Sequence, residues 1–203
     1  MEKIINFQGN CLYKTNISYS LSKEEKSYMN NLVYNSKDNI HFISKNVRIL
    51  DNFLLNNLSK IFDHYAIYYT KNILEIDHKL KRLNSWITIN KKNSFHPLHR
   101  HPNVFLSVCF YPQIKNGKIM FCTQLDPLMK NTNIQFNILN ENLFNSNTCY
   151  FDISPNDLII FPGWLDHYGS PNLDNTDRIM VGANYYISGN IGNDKSINEL
   201  QLL

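Results

Sequence analysis

Three histidines fall within six residues, His96-Pro97-Leu98-His99-Arg100-His101, and are followed much later by His167 and Arg178. Imidazole binds most first-row transition metals, and a metal that must also take oxygen and a substrate needs open coordination positions. His99 and His101 are two residues apart, so on a β-strand their side chains point to the same face. His167 could complete a facial set of three ligands from a second strand. Arg178 follows His167 by eleven positions and opens an apolar run; its planar guanidinium suits a carboxylate. Together these residues suggest iron chemistry with an anionic co-substrate rather than a passive fold.

Each signal is weak alone. A His-x-His pair is common without metal, and a lone Arg178 reads as a surface residue paired with Asp174 or Asp177. His96 stands three positions before His99, so on a regular strand it faces the other way. It is therefore expected behind the ligands or at the surface. His41, His64 and His78 stand apart and are given no metal role.

The elements that must position these residues fit one domain. The chain has 203 residues, 43% hydrophobic and 18% charged, as in an ordinary globular protein. A net charge of +3 and a pI near 8.6 are too weakly basic to indicate nucleic-acid binding. No stretch is long and apolar enough to span a bilayer, and Met1–Gln8 has no signal-peptide core. Cys11, Cys109, Cys122 and Cys149 show no CxxC spacing and read as reduced thiols in a cytoplasmic protein.

Residues 1–15 read as an irregular start or a first strand. Ser22-Lys23-Glu24-Glu25 has the form of a capping box that opens a helix to about Asn35. From Val47 to Ile76 apolar residues recur at three and four positions, which predicts a helix packed on a sheet. Strands are predicted at Arg82–Asn90, Asn103–Tyr111, Lys118–Thr123, Ile134–Leu139, Thr148–Ile153, Asp157–Phe161 and Arg178–Ile187. Turn residues punctuate them, among them Asn116-Gly117, Asp126-Pro127 and Pro171-Asn172. Asn140–Asn147 reads as a surface loop and Gly189–Leu203 as a peripheral tail. The fold class is mainly β with N-terminal helices, the helices (about 1–80) buttressing an antiparallel sandwich or barrel (about 82–190) within one domain, 1–203.

At this point the motifs resemble the 2-oxoglutarate/Fe(II)-dependent oxygenases, and more narrowly a group of small bacterial and phage oxygenases. The resemblance rests on Ser85-Trp86-Ile87, His99-Arg100-His101-Pro102, Leu106–Tyr111, Phe161-Pro162-Gly163-Trp164-Leu165-Asp166-His167, and Arg178. It implies a double-stranded β-helix (jelly-roll, cupin-like) core. It also implies Fe(II) held by His99, His101 and His167, with 2-oxoglutarate as co-substrate and O2 as oxidant. Arg178 would bind the distal carboxylate of 2-oxoglutarate, with Tyr111 either assisting or merely packing. The product would be a hydroxylated substrate, formed as 2-oxoglutarate is oxidatively decarboxylated. No side-chain acid or base is implied.

Three departures stand out. His101 replaces the acidic residue usual in the wider superfamily, Met180 replaces a small hydroxyl residue two after the arginine, and Val108 replaces glycine. Met180 removes one hydrogen bond to the co-substrate, and Val108 is expected to narrow the pocket. Trp86, Phe105, Phe121 and Trp164 could line an aromatic pocket, though aromatics more often fill cores. Lys79, Lys81, Arg82, Lys91 and Lys92 could meet an anionic macromolecule, though a solvated face is the ordinary reading. Two other readings stand: a three-histidine dioxygenase or isomerase that uses no 2-oxoglutarate, and a non-enzymatic metal-binding module. The prime substrate, a small molecule or a protein side chain, is unspecified. No nucleic-acid or membrane partner is expected, a homo-oligomer is left open, and the location is cytoplasmic, of the host if phage-encoded.

Overall fold

The structure, a computed structural model, describes residues 2–36, 38–124, 128, 132–192 and 199–202. Strands β1 (Lys3–Phe7) and β2 (Asn10–Asn16) form a hairpin. Ser22 caps helix α1 (Lys23–Asn30): its hydroxyl accepts from the Glu25 N–H, and the Glu25 carboxylate accepts from the Ser22 N–H. The helix ends five residues earlier than expected, because the chain turns into a short hairpin of β3 (Tyr34–Ser36) and β4 (His41–Ser44). The Tyr34 hydroxyl donates to the Met29 carbonyl and ties that turn to the helix end.

The long periodic segment is not one helix. Two 3-10 turns, Ile49–Asp51 and Phe53–Leu55, precede α2 (Asn56–Tyr68), and a π turn over Tyr69–Ile73 ends it. Asn52 interrupts the run: its backbone is extended and its side chain accepts from the Leu54 N–H, a local bond that competes with helix. The periodicity still selects one face. Leu55, Leu58, Phe62, Ala66 and Tyr69 are all buried.

Nine further strands follow: β5 (Lys79–Asn90), β6 (His96–His99), β7 (Leu106–Gln113), β8 (Lys118–Cys122), β9 (Thr148–Asp152), β10 (Asp157–Pro162), β11 (Asp166–Gly169), β12 (Arg178–Ile191) and β13 (Leu200–Leu202). The large sheet runs β1-β2-β10-β7-β12-β5-β4-β3, with β13 paired to the end of β12, and the small sheet runs β6-β11-β8-β9. Between β5 and β12 the chain crosses repeatedly from one sheet to the other. This is the double-stranded β-helix. The N-terminal region is more than a helical support, since β1–β4 extend the large sheet at both edges.

Period-2 alternation divides the interior. Val108 and Phe110 of β7, Leu158 and Ile160 of β10, and Val181 and Ala183 of β12 pack with the helices. Their neighbours Cys109, Tyr111, Ile159, Phe161 and Met180 point between the sheets. Burial on both faces explains why β7 and β10 read as continuous apolar runs. It also corrects the expectation for Val108, which faces the helices and cannot narrow the pocket; Cys109 is the residue on the pocket side.

Ile134–Leu139 forms no strand, and Ile134, Phe136, Ile138 and Leu139 are exposed. The turn at Asp126–Pro127 lies outside the described residues, as do residues 193–198 of the tail. The tail is not wholly peripheral, because β13 pairs with Gly189–Ile191. Among the described residues, no helix is long and apolar enough to cross a membrane.

Candidate metal centre

The site begins with a defect in an edge strand. β6 lies at the edge of the small sheet, where Pro97, which has no N–H to donate, is tolerated. His99 pairs with His167 on β11, and His96 pairs with Gly169. Three steps on β6 therefore match two on β11, which is a β-bulge. The extra residue turns both Pro97 and Leu98 outward and both His96 and His99 toward the cavity. This corrects the placement of His96, which a regular strand would have faced away. His101 lies just beyond β6, its N–H fixed by the Gly163 carbonyl at 2.8 Å.

His99, His101 and His167 come together, with their potential ligand atoms within 4.8 Å of one another. Each ring is oriented by an acceptor on its Nδ1 side. His99 Nδ1 donates to the Pro97 carbonyl at 2.8 Å, and His167 Nδ1 donates to the Leu165 carbonyl at 2.9 Å. His101 Nδ1 meets Asn184 Oδ1 at 2.9 Å and the Ser107 hydroxyl at 2.7 Å. A neutral imidazole that donates from Nδ1 carries its lone pair on Nε2.

Burial keeps these rings neutral. His167 is pushed down to about 3 and His101 to about 4, chiefly by desolvation and further by His99. Desolvation also lowers His99. Bare Nε2 atoms of His99 and His101 thus face each other at 3.1 Å. Two nitrogens bound at right angles, each about 2.1 Å from one ion, would stand about 3.0 Å apart. The donor set and its spacing fit a metal ion.

Arg178 opens β12 in the other sheet. It reaches the site across the gap between the two sheets. It is only 3% exposed. Its guanidinium donates to the Ser170 carbonyl. Gly117 makes room for it, since a Cβ there would lie 2.9 Å from Nη1. Among the described residues no carboxylate lies within ion-pair distance of it; Asp174 pairs with Lys115 instead. Desolvation lowers its pKa, partly offset by Tyr111, but a guanidinium stays charged. A buried cation with so little compensation favours an anionic ligand.

Arg178, Tyr111 and the three histidines line one small cavity of about 30 Å³. Burial raises the Tyr111 phenol well above its ordinary value, so it is a neutral donor. Strand register supplies further polar groups that motif reading missed. Asn90 is paired with Arg178 and Thr88 with Met180, and both line the cavity. Thr88 places a buried hydroxyl opposite the position where Met180 lacks one. Counting by twos from Trp86 along β5 would have found both.

Of the four aromatics considered, only Trp86 lines this cavity. Its ring meets His101 edge-on at 5.6 Å and lies over Gly182, where a Cβ would come within 2.6 Å of it. Phe121 backs His167 from the core, while Phe105 and Trp164 pack together outside the cavity. The basic residues are dispersed: Arg82 pairs with Asp51 and Asp63, Lys91 lies over Phe42, and Lys92 donates to Asn175.

Residues 84–184 match the family model described as "Putative 2OG-Fe(II) oxygenase". The chain belongs to the 2OG-Fe(II) oxygenases. The matched span runs from β5 to β12 and contains every residue of the cavity named above. No curated protein matches this oxygenase in sequence. Solved structures share its fold. An oxidoreductase of the 2OG-Fe(II) oxygenase family from Burkholderia pseudomallei superposes with a TM-score of 0.58 at 10% identity, over 85% of this chain and 83% of that one. HygX from Streptomyces hygroscopicus, solved with nickel and 2-oxoglutarate bound, gives 0.58 at 11% identity, over 86% and 82%. The non-heme alpha ketoglutarate dependent carbocyclase SnoK from nogalamycin biosynthesis gives 0.60 at 8% identity, over 92% and 83%. As a member of the matched family, the oxygenase takes Fe(II), 2-oxoglutarate and O2.

Proposed function

We propose that this oxygenase hydroxylates a prime substrate at an iron held by His99, His101 and His167, with Arg178 and Tyr111 holding the distal carboxylate of 2-oxoglutarate. The observation that carries this reading is the pairing of two features in one cavity. Three imidazoles turn lone pairs toward a common point, and a buried arginine beside them has no carboxylate partner among the described residues. When bound, the iron and 2-oxoglutarate supply oxidising power from O2, with 2-oxoglutarate converted to succinate and carbon dioxide.

The protein's own part is positional. Pro97, Leu165 and Asn184 fix the three imidazoles through Nδ1. His99, His101 and His167 would hold the iron and leave it coordination positions for co-substrate and oxygen. Arg178 orients the co-substrate in advance, and Tyr111 adds a neutral hydroxyl. Trp86 and Ile119 keep the wall apolar and limit water. A three-histidine enzyme that uses no 2-oxo acid would instead make Arg178 structural or substrate-binding.

The test is consumption of 2-oxoglutarate with release of succinate by Fe(II)-loaded protein in air. Slow turnover without prime substrate is expected for the wild type and none for His99→Ala or His167→Ala. Oxygen uptake without succinate would refute the co-substrate assignment. Unchanged metal binding in both variants would refute the ligand assignment.

A further inference from the structure

The metal cavity contains a fourth imidazole. His96 reaches it only because of the bulge in β6, and its Nε2 lies 3.2 Å from His99 Nε2, on the nitrogen assigned to the metal. It is not one of the three whose potential ligand atoms lie within 4.8 Å of one another. Its Nδ1 is buried and has no hydrogen-bond partner. The ring lies tilted against His41 at 5.1 Å, and the His96 Cβ sits close to Gly169, where an added Cβ would come within 3.3 Å of it.

Its place along β11 is informative. His167 is the second residue of that strand, Gly169 faces His96, and the next residue, Ser170, offers its carbonyl to Arg178. His96 therefore borders the gap between the three-histidine cluster and the arginine. In the ligand-free protein the His99 Nε2 lone pair can accept from His96 Nε2–H. A metal on His99 takes that lone pair away, and the His96 N–H must find another acceptor within the same small space. A fourth ligand would leave too few positions for a chelating 2-oxo acid and oxygen together.

We propose that His96 is a binding residue for 2-oxoglutarate, donating its Nε2–H to an oxygen of the metal-proximal 2-oxo acid end, opposite the end held by Arg178. This rests on the reading of the site given above. The bulge then has a purpose: it adds a neutral hydrogen-bond donor beside the metal without adding a ligand.

The test compares His96→Phe, which keeps a planar ring and removes the donor, with His96→Gln, which restores a donor. Two affinities are measured without oxygen: Mn(II) binding by calorimetry, and binding of 2-oxoglutarate or pyruvate to the Fe(II)-loaded protein by charge-transfer absorption. Pyruvate has the 2-oxo acid end and lacks the distal carboxylate. In His96→Phe, metal affinity should stay within about twofold, while affinity for both acids falls by the same factor, roughly tenfold or more. His96→Gln should recover most of the loss.

Arg178→Met should behave differently, weakening 2-oxoglutarate and sparing pyruvate. Unchanged acid affinity in His96→Phe, or no recovery in His96→Gln, would overturn the proposal. So would a loss of metal affinity as large as that of His99→Ala, which would make His96 a fourth ligand. Wild-type protein that takes metal but neither acid would instead overturn the underlying reading of the site, and this proposal with it.

Discussion

The two faces of the large sheet use the same strands in different ways. The face toward the helices carries the apolar Val108, Phe110, Leu158, Ile160, Val181 and Ala183. The face toward the small sheet begins in the same manner with Ile159 and Phe161. Toward the metal end it carries Thr88, Asn90, Ser107, Arg178 and Asn184, all buried and polar. Residues one step apart along a strand thus serve stability on one side and chemistry on the other. Substitutions on the two faces should separate these properties.

The largest expected effect is on the outer face. Phe110 is fully buried and meets Phe62 edge-on at 6.4 Å. Phe110→Ala should cost about 3–5 kcal/mol of folding stability, measured by denaturant unfolding. Metal affinity per folded molecule should not change. Next is Arg178→Met on the inner face, with the opposite pattern. Affinity for 2-oxoglutarate should fall by about 2–5 kcal/mol, roughly thirtyfold or more. The stability of the ligand-free protein should hold or rise, because a buried cation lacking a carboxylate has been replaced by an apolar side chain. If both variants lose stability alike, the distinction between the faces fails.

Gly182→Ala probes the seam between the two roles. Gly182 lies on β12 opposite Trp86, and its absent side chain is what lets that ring approach His101. The added methyl should cost about 1–3 kcal/mol of stability through overpacking, and metal affinity should fall with it as Trp86 presses on His101. Unfolding curves and calorimetric metal titration on the same variant would show whether the two losses travel together.

These contrasts also mark what could be read from sequence. The strands β5, β8, β9, β10 and β12 were legible because apolar runs bounded by turn residues carry a strong local signal. The grouping of His99, His101, His167 and Arg178 was visible as a motif, and the cavity brings them together. The place of His96 was not legible, because a bulge depends on how β6 pairs with β11, and a period of two cannot reveal an extra residue. Thr88, Asn90 and Asn184 were missed for a related reason: they enter the site through the register of β5 against β12. Val108 was misassigned because β7 is apolar on both faces, which hides its alternation. The hairpin β3–β4 escaped notice because three or four residues carry too little pattern.

The inner face should also make stability depend on pH. In the folded, metal-free protein burial lowers His96 to about 2, His167 to about 3 and His101 to about 4, from an ordinary value of 6.5. Below that ordinary value the unfolded chain takes up protons that the folded chain does not. Stability should therefore be full above about pH 6.5 and fall as pH drops toward the folded values. Denaturant midpoints at pH 7 and pH 5 should differ in the wild type and in Phe110→Ala by similar amounts. His167→Phe should show a smaller difference, and an unchanged difference would mean that this imidazole is not held neutral by burial.

The most direct measurement is an oxygen-free crystal structure with Fe(II) and 2-oxoglutarate bound. The predicted result is one iron on the Nε2 atoms of His99, His101 and His167, with the distal carboxylate on the Arg178 guanidinium. Iron bound elsewhere, or a co-substrate carboxylate that leaves Arg178 unengaged, would contradict the account.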